Sequence, residues 1–411
     1  MISRRYLLPV LALLLPVDRP LAADVPDPAR SKAAVEALES ADGPLDPALA
    51  ATPLTKDDAA RARKVLIDRR VAHVRETRAG EFQDRRIEID GLAMPFSFKV
   101  FGEKPEGGRS LYLSMHGGGN APPRVNDRQY ENQKGLYEPA EGIYLAPRAP
   151  TDTWDLWHQS HVDKFFERLI EDLSVFEGVD FDKVYLMGYS AGGDGVYQLA
   201  PRMADRLAAA SMMAGHPNEA SPLGLRNLPF AIHVGADDAA YNRNKVTREW
   251  GDKLDRLRED DPSGYLHLTE IHPGRGHWMN REDASAVPWM AKFRRDPIPN
   301  KVVWYQDNVT RGRFYWLAVE DGQAQAGASV VADREGQEVR ITKLDGVDRL
   351  IVRLDDRMLD LDRPVTIKVM GDTVFEGLPS RTIATLARTL EGPGDPGLTF
   401  AAEIVVTAPK K

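Results

Sequence analysis

The sequence predicts an α/β domain of alternating strands and helices followed by a β-rich C-terminal domain, and three stretches carry that prediction. Asp182 to Met187 is a β-type run that ends in Gly188-Tyr189-Ser190-Ala191-Gly192, and Val196 to Ala200 can wind into a helix directly after it. A serine on such a strand–turn–helix needs small neighbours, because the backbones pass closely while the hydroxyl is lifted clear of the sheet. The same turn aims the backbone N–H of Ala191 at a developing oxyanion. The second stretch is another β-type run that closes in Ser114-Met115-His116-Gly117-Gly118-Gly119. The third lies after Pro297-Ile298-Pro299, where short β-type runs replace the strand and helix alternation.

Taken in order, residues 1–23 carry Arg4 and Arg5, an apolar run from Tyr6 to Val17, and Leu21-Ala22-Ala23. A basic start, an apolar stretch too short to span a membrane and a small-residue site read as an export signal removed after Ala23. Ser3-Arg4-Arg5 is similar to a twin-arginine signal. No second apolar run reaches spanning length, so a periplasmic or extracellular protein with no membrane contact after cleavage is expected. With no cysteine in 411 residues, disulfides and a thiol-linked lipid anchor are excluded. A net charge of −8 with no basic, aromatic-interleaved stripe argues against a nucleic-acid partner. No sequence feature sets an oligomeric state.

Residues 24–54 are rich in Pro, Ala and Asp, with turn signals at Asp42-Gly43-Pro44 and Asp46-Pro47, and read as a tether or loosely packed arm. Thr55 and Asp58 form a capping box for a helix to about Arg78, with Ile67, Val71 and Val74 on one face and a solvated arginine-rich face opposite. From Arg85 the period changes to two: Ile87 and Ile89, then Phe96, Phe98 and Val100, then Leu111 and Leu113. These are opening strands in hairpin order, with Asp90-Gly91 as the first turn.

The third of these runs enters His116-Gly117-Gly118-Gly119, where missing β-carbons let backbone N–H groups approach a substrate oxygen. Gly117 and Gly118 are therefore expected to complete an oxyanion hole with Ala191, and His116 to hold the loop. A phosphate-binding loop is the competing reading, but the Lys-Ser/Thr ending is absent and no G-x-G-x-x-G runs into a helix.

His116-Gly117-Gly118-Gly119 together with Gly188-Tyr189-Ser190-Ala191-Gly192 resembles the α/β-hydrolase superfamily, in its secreted esterase, dienelactone-hydrolase-like and polyester-depolymerase-like branches. The resemblance runs from about Arg85 to Asp296. It implies a mostly parallel sheet flanked by helices, no cofactor, and a nucleophile, an acid and a histidine in that chain order. Ser190 matches the nucleophile. The strand at Pro229 to Val234 followed by Gly235-Ala236-Asp237-Asp238 matches the acid turn, which selects Asp238 with adjacent Asp237 left open. Gly274-Arg275-Gly276-His277 resembles the histidine loop and selects His277, with His272 as the runner-up.

A metal is not expected: His267 and His272 differ by an odd number along a strand and so face opposite sides, and neither H-E-x-x-H nor H-x-x-E-H is present. His158 and His161 share a helix face without a third ligand. Trp154, Trp157 and Tyr189 are weak candidates for a substrate wall, with core packing the alternative. Asp194, Tyr197, Asn242 and Arg243 are polar groups near the catalytic turns that either bind substrate or satisfy the backbone.

After residue 299 the runs at Phe314 to Val319, Val339 to Leu344, Leu350 to Leu354 and Val365 to Val374, a helix capped by Ser380 and a final run from Phe400 to Val406 read as a separate, mainly antiparallel domain. The expected organisation is thus 1–23 signal, 24–80 tether and helix, 81–299 catalytic domain and 300–411 β-rich domain. The expected activity is hydrolysis of a small-molecule or polymeric carboxylic ester, with a prolyl-oligopeptidase-like peptidase or a non-catalytic binder as alternatives.

Overall fold

The computed structural model of the chain describes residues 25–41, 43 and 45–407. The expected export segment and two residues of the expected Asp42-Gly43-Pro44 turn lie outside the described residues. Three helices precede the main sheet: α1 (Pro28–Ser40), α2 (Pro47–Ala50) and α3 (Lys56–Asp84). The sheet is built from β1 (Arg86–Ile89), β2 (Leu92–Phe101), β3 (Arg109–Met115), β4 (Gly142–Pro147), β5 (Val179–Tyr189), β6 (Ala209–Met213), β7 (Phe230–Gly235) and β8 (His267–His272). Between and after them run α4 (Pro123–Gln133), α5 (Ser160–Glu177), α6 (Ala191–Arg202), α7 (Arg243–Asp260) and α8 (Ala286–Met290).

The strands lie in the order β1-β2-β4-β3-β5-β6-β7-β8, with only the β1/β2 and β2/β4 pairs antiparallel. The expected hairpin order holds for β1 and β2, joined across Asp90-Gly91 with both residues at positive φ. It fails for β3, which β4 separates from β2. The reason is the α4 crossover, which brings β4 back parallel to β3 on that side.

Alternation along the strands divides the core. Leu111, Leu113 and Met115 of β3 join one apolar cluster, while Tyr112 joins another on the opposite face with Tyr144, Tyr185 and Met213. The first cluster extends through Trp157 and Trp250 to Trp304, Trp316 and Phe400. Each fully buried side chain of this kind contributes about 1.5–3 kcal/mol.

Trp304, Trp316 and Phe400 come from the region of two further sheets, Trp304 within a strand and the other two beside strands. One has the order β16-β15-β13-β12-β9 and the other β10-β11-β14-β17, from β9 (Lys301–Tyr305), β10 (Arg313–Phe314), β11 (Leu317–Ala318), β12 (Ser329–Glu335), β13 (Glu338–Asp345), β14 (Arg349–Leu354), β15 (Val365–Val369), β16 (Asp372–Gly377) and β17 (Ala402–Thr407). Pairing is antiparallel except between β13 and β15. Because these sheets share the first cluster, this region does not have a core apart from that of the main sheet. The helix α9 (Ile383–Glu391) is capped by Thr382, whose Oγ1 accepts from Thr385 N–H at 3.1 Å, and not by the expected Ser380.

Two readings of the N-terminal region are corrected. The stretch expected as a loose arm contains α1, whose Ala34, Val35 and Leu38 are buried with Leu54, Ala62 and Ile383. The arginine face of α3 is also not free in solvent. Arg63 pairs with Asp355, Arg70 reaches Glu171 at 2.6 Å, and Arg78 reaches Glu171 at 2.8 Å and Asp172 at 3.0 Å. Those acids lie on α5 and just after β14, too far along the chain to be paired with α3 by local pattern. Capping follows expectation more closely, with Asp58 N–H donating to Thr55 Oγ1 at 3.3 Å.

Candidate active site

Three loops at the C-terminal ends of β5, β7 and β8 converge on one point. Ser190 follows β5 with φ 60° and ψ −122°, a conformation that costs an L-residue about 1–3 kcal/mol. The surroundings enforce it. Ser190 N–H donates to Met213 O at 2.9 Å. A Cβ at Gly188 would lie 2.3 Å from Gly192 O, and one at Gly192 would lie 2.2 Å from Met115 O. Only glycines allow the elbow to pack this close to β3.

After β7, Asp238 is buried and its Oδ2 accepts from His277 Nδ1 at 2.8 Å. Asp237 points to solvent, so the carboxylate that meets the histidine is that of Asp238. His277 Nε2 is 3.0 Å from Ser190 Oγ. With Nδ1–H given to the carboxylate, Nε2 is left as a lone pair facing the serine hydroxyl.

The acid and histidine loops are tied to each other. Asp237 N–H donates to Arg275 O at 2.8 Å, and a Cβ at Gly235 would meet Gly276 O at 2.1 Å. Tyr189 adds a third tie, since its hydroxyl donates to His277 O at 2.6 Å and accepts from Met279 N–H at 3.1 Å. Tyr189 thus both lines the cleft and fixes the histidine loop.

The glycine loop after β3 reaches the same point. Gly117 packs so that an added Cβ would lie 3.1 Å from Ser190 Cβ. Gly118 and Gly119 have φ of +109° and +82°, and a Cβ on Gly118 would lie 2.2 Å from Asn126 Oδ1. Asn126 holds the loop by accepting from Gly119 N–H at 2.9 Å while donating to Asp152 at 2.7 Å.

His116 lies beneath and is wholly buried. Its Nε2 accepts from Ala149 N–H at 3.1 Å, so Nδ1 carries the proton and donates to Gly117 O at 2.6 Å. Burial pushes this imidazole down to about 4, so it is neutral at physiological pH. Ala191 opens α6, where the first N–H groups have no intrahelical acceptor.

Two clefts meet at Ser190. The larger, about 650 Å³, is lined by Gly117, Gln129, Leu136, Tyr189, Arg243 and Trp278 among others; the smaller, about 360 Å³, by Gly119, Trp154, Asp194, His216 and Arg243 among others. Trp154 is 59% exposed and stands at the smaller cleft. Trp157 does not line either. It is fully buried, packs on Gly195 of α6 and donates from Nε1 to His116 O at 2.9 Å, so its role is to support the glycine loop from behind.

Tyr197 is likewise buried away from the clefts, against Trp250. Asn242 is left-handed at the start of α7. Asp194 accepts from His216 N–H at 2.6 Å, and burial lifts its carboxyl to about 6. Arg243, left open by the sequence, emerges as a wall common to both clefts. Nothing in its local string separates it from the many solvated arginines of the chain.

Among the described residues, one set of donors could reach a metal together: His233, Glu270 and His272. Parity along one strand misses it, because β7/β8 register places His233 opposite Glu270 and Gly235 opposite His272, so all three share a face. His233 Nδ1 and His272 Nε2 face each other at 3.2 Å with the rings 18° apart, which is the arrangement of an N–H···N hydrogen bond. His272 is therefore engaged with His233 and not with Ser190.

A mostly parallel sheet carrying a serine elbow, then an acid, then a histidine in that chain order after its strands, here β5, β7 and β8, defines the α/β-hydrolase fold, and this chain has that fold. No protein-family model and no curated protein matches the chain. Among solved structures it is similar to a thermostable esterase (16% identity, TM-score 0.37), covering 51% of this chain and 62% of that one. It is also similar to a ferulic acid esterase (16% identity, TM-score 0.36, 50% of this chain and 96% of that one). A third likeness is to a poly(3-hydroxybutyrate) depolymerase from Bordetella parapertussis (15% identity, TM-score 0.38, 54% of this chain and 91% of that one). No helix among the described residues is long and apolar enough to cross a membrane.

Proposed function

We propose that the chain is a serine hydrolase that cleaves carboxylic esters through an acyl-enzyme. The observation that carries this reading is the continuous hydrogen-bonded line from Asp238 through His277 to Ser190, with glycine backbone beside the serine. His277 Nε2 takes the proton of Ser190 Oγ as the oxygen attacks the ester carbonyl, and Asp238 stabilises the imidazolium that results. The N–H groups of Ala191 and of the Gly117–Gly118 loop receive the negative charge on the tetrahedral oxygen, each worth about 2.7–4 kcal/mol in hydrolases of this kind. His277 returns its proton to the leaving alkoxide, and water deprotonated by the same nitrogen then releases the acid.

The two clefts give room for groups on both sides of the scissile bond, which suits a small ester or a segment of a polymeric one. The basic and apolar composition of 1–23 supports an exported enzyme in this reading. The test is turnover of a chromogenic ester beside an aminoacyl anilide by wild type and Ser190→Ala. Ester cleavage lost in the variant is expected; anilide cleavage alone would make the chain a peptidase, and no cleavage of either would oppose a hydrolase.

A further inference from the structure

We infer that the ester carries a carboxylate, and that Arg243 in the larger cleft binds it. The inference rests on the hydrolase reading above and names its substrate class.

A guanidinium has five N–H donors and is normally paired when buried. Arg243 is nine-tenths buried. Its Nε has no hydrogen-bond partner among the described residues. Asp238 Oδ1 stands 3.7 Å from Nη1, beyond hydrogen-bond length, because Asp238 commits its other oxygen to His277. Tyr241 lies with its ring centroid 4.8 Å from the guanidinium carbon, but that ring offers a π face and no acceptor lone pair in the guanidinium plane. A buried Nε–H without an acceptor costs stability. Arg206 and Arg311 also have an unpartnered Nε, but their other nitrogens are tied to acids at 2.5–3.1 Å; Arg243 differs in facing two clefts that also reach Ser190, where a ligand can supply acceptors.

The charge of the walls selects between the clefts. The smaller one contains Asp194, which repels an anion once ionised. The larger one contains no Asp or Glu; its polar walls besides Ser190, Tyr189, Tyr241 and His277 are the carboxamides of Gln129, Asn132 and Gln133. Arg243 is its one Lys or Arg. A carboxylate matches a guanidinium fork with two parallel hydrogen bonds, so an ester with a free carboxylate beyond its scissile bond fits this cleft. A neutral ester leaves the donors unmet.

The test compares kcat/KM for p-nitrophenyl pentanoate and mono-p-nitrophenyl glutarate, and for pentanoate esters of phenol and of 4-hydroxybenzoate. These place the carboxylate on the acyl or the alcohol side. Wild type is expected to favour at least one carboxylated ester by about 10- to 100-fold, the scale of a charge-assisted pair. Arg243→Gln is expected to collapse that ratio toward one, and Arg243→Lys to restore part of it. Equal loss on neutral and carboxylated esters in Arg243→Gln would overturn the inference and make Arg243 a positioning residue for Asp238. No preference in wild type would overturn it too.

Binding of glutarate to Ser190→Ala by calorimetry separates this result from failure of the hydrolase reading, since it needs no turnover. Glutarate bound by Ser190→Ala and lost in the double variant with Arg243→Gln supports the anion site even if no ester is cleaved. No binding opposes it even if neutral esters are cleaved.

Discussion

The molecule handles charge in opposite ways at its two ends. At the seam between the main sheet and the last two sheets, Arg206 and Asp395 are both fully buried and 2.6 Å apart. Arg295 joins Asp395 at 2.7 Å, and Arg311 reaches Glu167 at 2.5 Å and Asp163 at 3.1 Å. Asp395 Oδ1 also accepts from Gly397 N–H at 2.7 Å. At the cleft the ties are looser: Ser190 is strained, burial raises Asp194, and Arg243 meets the carboxylate of Asp238 only at 3.7 Å. The difference teaches where to look for function. Buried charge that is closely paired holds elements together, whereas buried charge only loosely paired beside a nucleophile is where a ligand group is to be sought.

Substitutions at the two ends should therefore separate activity from stability. The largest effect is expected for Ser190→Ala, with kcat for ester hydrolysis falling by roughly 10⁶-fold and no loss of melting temperature, since the strained elbow loses only its hydroxyl. Next is Asp238→Asn, expected to lower kcat by about 10⁴-fold by favouring the wrong imidazole tautomer, again in a folded protein. Asp395→Ala should do the converse. It strands Arg206, while Arg295 keeps Asp182 at 2.8 Å, and is expected to cost about 3–5 kcal/mol in denaturant unfolding, with kcat per folded molecule retained. A seam variant that stays fully stable, or a Ser190→Ala protein that unfolds, would break the contrast.

Titration sharpens the same contrast with smaller effects of opposite sign. Burial alone would raise Asp395, but Arg295 and Arg206 override it and hold the carboxyl at about 2, below its ordinary 3.8. Its contribution is complete above about pH 4 and is lost as pH falls toward 2. Asp194 is raised by burial from 3.8 to about 6, so the fold favours its protonated form. Stability is expected to decline as pH rises from about 4 to 6 and to level off above that. Asp194→Asn keeps an oxygen for His216 N–H and should flatten this decline in unfolding curves taken across that range. An unchanged slope would show that Asp194 is not its source.

What the sequence displays of this molecule is what lies in short strings. The Ser190 elbow and the triple glycine are legible because close backbone passage demands glycines at fixed neighbours, and those positions are the ones where an added Cβ would collide. The turn after β7 leaves two adjacent aspartates, and only the fold distinguishes the buried Asp238 from the exposed Asp237. Trp157 shows the converse difficulty: it sits in a loop expected to edge the site, yet its indole turns inward to support His116.

The seam is invisible in the string because its partners are distant, with Arg206 and Asp395 separated by 189 residues. The buried face of α1 is obscured for another reason, since the exposed Ala29 and Ala33 dilute the apolar period of the buried Ala34, Val35 and Leu38. Arg243 stands out in the sequence only for its place near the acid turn. That its neighbours leave its Nε without an acceptor is a property of packing.

The most direct measurement is labelling of the folded protein with a fluorophosphonate probe, followed by peptide mapping, in wild type, Ser190→Ala and His277→Ala. An adduct on Ser190 that is absent in the first variant and weakened in the second is predicted, because only a serine activated by its histidine reacts at a useful rate. Folded wild-type protein that takes up no probe, or takes it up equally well without His277, would contradict the account.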